Sequence, residues 1–153
     1  GSDTFGPESI MTRGMIVTIL WRLEGSPAFS SCAFSDVAAD QYYTAAVSWA
    51  AGRGIVTGYG DGRFGPDDTI TREQMAAVLF RYATFKGYDV SAQANLSSFR
   101  DVNQISDYAA RAVAWAYGER IITGKGGGIL DPKGMTTRAQ AAQMLFNFLE
   151  DRI

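Results

Sequence analysis

Three arginines stand at matched positions in the sequence, each directly after a threonine and before a run of apolar residues at helical spacing. They are Arg13, Arg72 and Arg138. A cation is mildly disfavoured at the start of a helix, because the helix dipole already places positive charge there. Helix stability therefore does not explain these residues, and two explanations stay open. Each guanidinium either binds an anion together with the N–H groups of the helix start, or forms a salt bridge with a nearby aspartate. The candidate aspartates are Asp36, Asp67 and Asp101.

Other kinds of chemistry find little support in the residue types. The chain has no histidine and a single cysteine, Cys32. The usual Cys-His and Ser-His arrangements for catalysis are therefore missing, as is the commonest metal ligand. One thiol forms neither an internal disulfide nor a metal site. No acidic pair recurs in the manner of the two carboxylates of a glycoside hydrolase. We predict no enzyme activity, no metal site and no cofactor.

Composition and charge exclude two further classes of partner. The chain has 14 basic and 16 acidic residues and a net charge of −2, with no run of Lys and Arg, which argues against a nucleic-acid binder. No apolar stretch approaches the roughly 18 residues that cross a bilayer, so we predict no membrane insertion. With 46% hydrophobic residues, the chain can bury a globular core.

The arginines belong to internal repeats, because the segments 5–13, 64–72 and 130–138 align with one another. A second block occurs twice. It begins at Phe34-Ser-Asp-Val37 and at Phe99-Arg-Asp-Val102, and it ends at Gly54-Ile-Val-Thr-Gly58 and at Arg120-Ile-Ile-Thr-Gly124. We interpret the chain as starting inside a repeat. The predicted parts are 1–25 as the second half of repeat 1, 26–33 as a linker, 34–87 as repeat 2, 88–98 as a linker, and 99–153 as repeat 3.

Apolar periodicity predicts the elements that hold the arginines. Residues 71 to about 86 carry their apolar side chains on one helical face, and equivalent runs follow Arg13 and Arg138. Two Ala-rich segments, from about 40 to 53 and from about 106 to 119, predict further helices, which Gly54 and Gly118 would end. Capping boxes are predicted at Thr71 with Gln74 and at Thr137 with Gln140, whereas Met15 leaves the box of Thr12 incomplete. The predicted class is all-α, with about five main helices and glycine-rich loops.

The order of these motifs resembles the S-layer homology (SLH) family. The matching pattern is Phe-x-Asp-Val, then Trp-Ala, then Gly-Ile-Val-Thr-Gly-Tyr-x-Asp-Gly-x-Phe-x-Pro, then Ile-Thr-Arg-Glu. Residues 34–85 match nearly the whole pattern, 99–150 match it with an altered loop, and 5–24 match its second half. The resemblance implies tandem helix-loop-helix repeats packed into a pseudo-threefold helical bundle, a truncated three-pronged spindle.

The resemblance also implies a function. SLH modules anchor surface proteins, mainly of Gram-positive bacteria, to the cell wall and carry out no catalysis. The ligand is a secondary cell-wall polysaccharide, an anionic and often pyruvylated glycan, bound in grooves between repeats. The expected location is therefore extracellular, at the cell surface. The alternative function is a protein–protein or self-assembly module of a surface layer. A partner chain could also complete the missing half-repeat by covering the face that contains Ile16, Ile19, Leu20 and Leu23.

The family motif Thr-Arg-Ala-Glu carries the key arginine, and this chain keeps threonine and arginine in each copy but the glutamate in none. The glycine loop is intact in repeat 2, whereas Lys125 and glycines replace its Tyr and Asp in repeat 3. We expect Arg72 to matter most, because its own repeat carries the intact loop and a complete repeat follows it. The predicted ligand-binding residues are Arg13, Arg72, Arg138, Trp49, Trp115, Tyr59, Gly58, Asp61 and Gly124.

Alternatives stay open for several of these residues. Trp49 and Trp115 either stack on a sugar or pack in the core. The glycines of the loop at Gly58 either let a ligand approach closely or only make the turn. Asp36 and Asp101 are expected to cap a helix or a turn rather than to contact the ligand.

Overall fold

The structure, a computed structural model, describes residues 9–29, 34–150 and 152. Within them it is helical and has no strand, which confirms the predicted class and number of main helices. The helices are α1 (Arg13–Leu23), α2 (Thr44–Gly52), α3 (Arg72–Phe85), α4 (Ala110–Gly118) and α5 (Arg138–Glu150). Short 3-10 helices lie at Val102–Gln104 and Asp107–Ala109. None of the helices in this part of the chain has the length and apolarity to cross a bilayer.

The chain divides into two compact units, Met11–Thr69 and Gly1–Ile10 with Ile70–Ile153. The first unit contains α1 and α2, and the second contains α3, α4 and α5. These units are offset from the sequence repeats, because the second helix of one repeat packs against the first helix of the next. Thus α1 contacts α2, and α3 contacts α4.

In the first unit, the packing of α1 on α2 covers most of the face that was expected to need a partner. Ile16 and Leu20 are fully buried, together with Val47 on α2. Leu23, at the end of the same face, is 48% exposed. The expectation of missing cover is therefore wrong for Ile16 and Leu20, and these positions give no reason for a partner chain.

In the second unit, aromatic side chains from three helices form the core. The ring of Trp115 on α4 makes edge contacts with Phe80 on α3 and Phe148 on α5, with centroid distances of 5.5 and 6.2 Å. The segment before α4 is held along that helix, because Arg111 donates a hydrogen bond of 2.9 Å to the carbonyl of Ala92. The N–H of Ala94 also donates to the carbonyl of Ala114.

Capping boxes open the helices that begin with the matched arginines. The side chain of Thr71 accepts from Gln74 N at 3.2 Å, and Gln74 Oε1 accepts from Thr71 N at 2.9 Å. In α1 the sulfur of Met15 accepts from Thr12 N at 3.4 Å, so the prediction of an incomplete box there is wrong. The last residue of each box, at helix position N3, stands where the family motif has its glutamate. That position acts as a helix cap here, and it needs an acceptor rather than a charge.

The Ala-rich helices are shorter at their N-termini than predicted. Neither Tyr43 nor Ala109, which precede α2 and α4, caps its helix with a side-chain hydrogen bond. Without such a cap, the preceding residues form turns or a 3-10 helix instead of a further α-helical turn. Gly118 lies inside α4 as its last residue, and Glu119 is the C-cap, so Gly118 does not act as the predicted helix stop.

Candidate functional site

Arg13 is held by the glycine loop that follows α2. Its Nε donates to the carbonyl of Phe64 at 2.9 Å, and its Nη2 donates to the carbonyl of Thr57 at 3.4 Å. The guanidinium carbon lies 4.7 Å from the ring centroid of Tyr59 and 4.6 Å from that of Phe64. The arginine is 7% exposed, so it is a buried cation that the loop wraps with carbonyl oxygens and aromatic faces.

Arg72 is held in the same way by the loop that follows α4. Its Nε donates to the carbonyl of Leu130 at 3.0 Å, and its Nη2 donates to the carbonyl of Thr123. The side chain is 5% exposed. Burial lowers the pKa of the Arg72 guanidinium from its ordinary value, and the charges of Asp131 and Asp101 partly oppose this.

Each loop is tethered by an aspartate from the start of its own repeat. The carboxylate of Asp36 accepts from Phe64 N and Gly65 N, both at 2.8 Å. Asp101 accepts in the same way from Leu130 N at 3.0 Å and Asp131 N at 2.8 Å. The expectation that these aspartates cap a turn is confirmed. Burial raises the pKa of each carboxyl, but the backbone hydrogen bonds outweigh it, so both pKa values lie below the ordinary value.

Of the two reasons for the importance of Arg72, the complete repeat that follows it supplies its loop, whereas the intact loop of its own repeat does not contact it. Two of the matched arginines are each bound by the loop of the repeat that follows them: Arg13 by loop 58–62 with its flanks, and Arg72 by loop 124–128 with its flanks. Aspartates do not provide the main contacts either. Within the described residues, no carboxylate oxygen lies within salt-bridge distance of Arg72, so the salt-bridge explanation fails for this residue.

The N–H groups of the helix starts are also not available to a ligand. Arg72 N donates to the carbonyl of Gly134 at 3.0 Å, and Glu73 N donates to that of Pro132 at 2.9 Å. Gln74 N is taken by the threonine cap. The start of α1 is closed in the same way, through Asp68 and Pro66. An anion at either position would therefore contact the guanidinium and not the helix N-terminus. The hypothesis that the guanidinium and the N–H groups of the helix start bind an anion together is thus wrong for the N–H groups.

The two arginine sites differ in what covers the guanidinium. At Arg13, the Tyr59 hydroxyl donates to Asp68 Oδ2 at 2.6 Å, which holds the ring against the cation. Burial and this hydrogen bond raise the pKa of Tyr59 to about 12. At Arg72 the residue in the place of Tyr59 is Lys125, and within the described part of the chain no aromatic ring lies over the guanidinium. Both side chains are almost fully buried, at 7% and 5% exposed, but only the Arg13 guanidinium is covered by aromatic rings.

Asp61 serves the loop itself. Its carboxylate accepts from the backbone N–H of Arg63 at 3.1 Å and pairs with the Arg63 guanidinium at 3.0 Å. Both hydrogen bonds lower the pKa of this exposed carboxyl. A second negative charge would be repelled here, so we do not place Asp61 among the contacts to an anionic ligand.

The two tryptophans lie in the core. Trp49 is 3% exposed and Trp115 is fully buried. Neither indole presents a face on which a sugar could stack, so the structure favours core packing, the alternative left open above. We therefore remove both residues from the candidate site.

The glycines of the repeated Thr-Gly pairs are explained by packing and not by the approach of a ligand. A Cβ atom on Gly58 would lie 2.6 Å from Phe34 Cε1 and 2.6 Å from the carbonyl oxygen of Arg63. On Gly124 it would lie 2.9 Å from Phe99 Cε1. Each glycine lets the first phenylalanine of its repeat pack against the loop that binds the arginine. The binding role of Gly58 and Gly124 is thus indirect.

We expect Gly58→Ala to destabilise the protein by about 1–3 kcal/mol, because the added methyl group overpacks the contact with Phe34. The matched control is Gly52→Ala, where a Cβ meets nothing within 4 Å and a helix gains a better former. Urea unfolding followed by circular dichroism measures both variants. A Gly58→Ala midpoint equal to that of the wild type would contradict this account of the loop.

Arg138 opens α5, and its backbone N–H donates to the carbonyl of Ser9 at 2.7 Å. The aligned segment before Ser9, from Phe5 to Glu8, lies outside the described residues, as does Cys32. A binding role for Arg138 therefore stays a prediction. Within the part of the chain that the structure describes, no three His, Cys, Asp or Glu residues are grouped to hold a metal.

Comparison with known proteins identifies the family. The family model described as S-layer homology domain matches residues 33–76 and 98–142, more than half of the chain. The chain therefore belongs to the S-layer homology domain family. The matched segments contain both loops, both tethering aspartates, and Arg72 and Arg138.

Relatives include both enzymes and surface proteins. The chain is 33% identical to the exoglucanase XynX of Acetivibrio thermocellus, over 97% of this chain and 14% of the relative. It is 33% identical to an endoglucanase of Bacillus sp. (strain KSM-635), over 97% of this chain and 16% of the relative. It is 30% identical to the S-layer protein EA1 of Bacillus anthracis, over 94% of this chain and 16% of the relative. The chain thus spans only a small part of the length of these relatives.

The shared part is the anchoring region. The chain is a cell-surface anchoring module, and the predicted location at the cell surface is confirmed by the family and by relatives that include S-layer and cell-surface proteins. The enzyme relatives match this chain through the same module, which is not catalytic. Their catalytic names apply to those proteins.

Proposed function

We propose that this chain anchors its parent protein by binding an anionic cell-wall polysaccharide, with the carboxylate of a pyruvylated sugar bound at Arg72. The observation that carries the proposal is a buried guanidinium with carbonyl acceptors but no carboxylate partner among the described residues. A buried cation without an ion-pair partner carries a desolvation cost of several kcal/mol, which the charges of Asp131 and Asp101 offset only in part. An anionic ligand would offset more of that cost, because it brings a negative charge into direct contact with the guanidinium.

The unused donors of Arg72 suit this role. Nε and one N–H of Nη2 donate to the loop, and the other guanidinium N–H groups have no acceptor among the described residues. The loop fixes the plane of the guanidinium before any ligand arrives, so little side-chain entropy is lost on binding. A carboxylate is the natural ligand, because it accepts two parallel hydrogen bonds from a guanidinium edge.

A titration of wall polysaccharide before and after chemical removal of its pyruvate ketals tests the proposal. Calorimetry should show saturable binding to the pyruvylated fragments, and removal of the ketal should weaken it about tenfold or more, the equivalent of one charge-assisted hydrogen bond. Equal affinity for the two preparations would contradict the proposal. Concentration-dependent self-association without glycan binding would favour the alternative, a surface-layer assembly module.

A further inference from the structure

Four helix ends in the described chain share one hydrogen-bond pattern, and one of them has an unusual residue. After α1, α2 and α3, the N–H of the residue following a glycine donates back to the carbonyl five residues earlier. The glycines are Gly25, Gly54 and Gly87, with φ of 84°, 73° and 76°. After α4 the same bond runs from Ile121 N to the carbonyl of Ala116 at 2.8 Å, but the left-handed residue is Arg120, with φ of 62°.

An arginine in this conformation is strained relative to glycine, because its Cβ crowds the neighbouring carbonyl. Attraction to the helix C-terminus does not require that position. Arg53 after α2 and Lys86 after α3 place cations at helix ends with φ of −101° and −76°, one residue before the glycine. The alignment puts Arg120 opposite Gly54 of the preceding repeat, so the strain belongs to repeat 3 alone. Residues held in a strained conformation are often found at functional sites.

Arg120 lines a cleft of about 350 Å³ in the second unit. Ala94 of the segment before repeat 3 forms one side, and Thr123 and Gly124 at the start of the glycine loop form another. Tyr117, from the last turn of α4, is 36% exposed, and the ring of Phe99 holds it edge-on at 5.2 Å. The cleft therefore combines a fixed aromatic ring with a cation.

The charge of this cleft is positive. Arg120 is exposed and has no ion pair among the described residues, since the neighbouring Glu119 is paired with Arg152 at 2.7 Å. No acidic residue lines the cleft within the described ranges of the chain. The carbonyl of Thr123, a residue that lines the cleft, accepts a hydrogen bond from Arg72, so a second cation lies next to the cleft.

From this geometry we propose that the cleft is a second contact for the polysaccharide, in which Arg120 binds the carboxylate of an acidic sugar unit and Tyr117 packs against its ring. The inference rests on the proposed function, because it assigns a further sugar of the same anionic glycan to this chain. An aromatic ring beside a guanidinium fork is suited to a sugar that has both an apolar face and a carboxylate.

The variant Arg120→Gly separates binding from stability. Glycine adopts the left-handed conformation without strain, so the melting temperature should rise or stay unchanged. Affinity for the purified anionic polysaccharide should fall about tenfold to a hundredfold, as expected for the loss of a charge-assisted contact. Tyr117→Ala should also lower affinity. Arg53→Ala is the matched control, because it removes an exposed cation at the equivalent end of α2 and should leave the affinity unchanged.

Comparison of Arg120→Gly with Arg72→Ala distinguishes failure of this inference from failure of the proposed function. Unchanged affinity in Arg120→Gly, with weakened binding in Arg72→Ala, would overturn the inference about the cleft and leave the proposed function standing. Unchanged affinity in both variants would overturn both. Equal weakening in Arg120→Gly and Arg53→Ala would show that only general charge attraction is at work, which also overturns the inference.

Discussion

Arg72→Ala is expected to weaken binding of pyruvylated wall polysaccharide about tenfold to a hundredfold. A charge-assisted bond from a guanidinium to an anion contributes roughly 1.5–3 kcal/mol, and more when it is partly desolvated. Arg72 is 5% exposed, and the part of its guanidinium that the loop does not use has no other acceptor among the described residues. Calorimetric titration with purified fragments measures the loss.

Two further variants keep this prediction testable if the alanine variant folds poorly. Arg72→Lys retains the charge but not the planar fork, so it should bind more tightly than Arg72→Ala and more weakly than the wild type. Arg22→Ala removes an exposed cation in the last turn of α1 and should leave affinity unchanged. Wild-type affinity in Arg72→Ala, with the helical signal intact, would refute the account of this site.

Asp101→Ala is expected to destabilise the protein by about 2–5 kcal/mol. Its carboxylate is the acceptor for Leu130 N and Asp131 N, and an unsatisfied buried N–H costs about 1–3 kcal/mol. The same loop supplies the carbonyl of Leu130 to Arg72, so the damage should also reach polysaccharide binding. Urea unfolding measures the free energy.

The control for Asp101→Ala is Asp107→Ala, an exposed aspartate whose loss should change stability by less than about 0.5 kcal/mol. Acid unfolding gives an independent readout. Because the pKa of Asp101 lies below its ordinary value in the folded protein, its contribution is present above that ordinary value and is lost as the pH falls through the lowered one. In Asp101→Ala, the free energy of unfolding should therefore fall less steeply as the pH is lowered. An equal pH dependence in the variant and the wild type would contradict the role of Asp101 in tethering the loop.

Much of the molecule could be predicted from the sequence because the decisive signals are local. Apolar spacing within a few turns predicts α3 over 71–86, and the structure has it at Arg72–Phe85. The spacing of Thr71 and Gln74 predicts a cap for the same reason. The repeated motifs also led to the family and singled out the matched arginines, although the sulfur acceptor of Met15 was missed because sulfur is a weak acceptor.

The partner of each arginine depends on contacts far apart in the sequence. Arg13 and Phe64 are 51 positions apart, and Arg72 and Leu130 are 58 apart, so no local pattern assigns one loop to one arginine. The Thr-Gly pairs were a usable signal, since Thr57 and Thr123 each supply an acceptor carbonyl, but the sequence does not reveal to which repeat they are directed.

Burial and backbone strain were decided by the tertiary structure as well. An indole in an Ala-rich helix suits both a core and a sugar-binding face, and only the packing of α4 against neighbouring helices buries Trp115 completely. In the sequence Arg120 has the pattern of an ordinary surface residue, because the residue type does not specify the backbone angle φ. The sequence by itself determined the main helices, the threonine caps and the repeated cations, which depend on neighbours along the chain. Tertiary packing determined which loop holds each cation and which indoles are buried, because those features depend on neighbours in space.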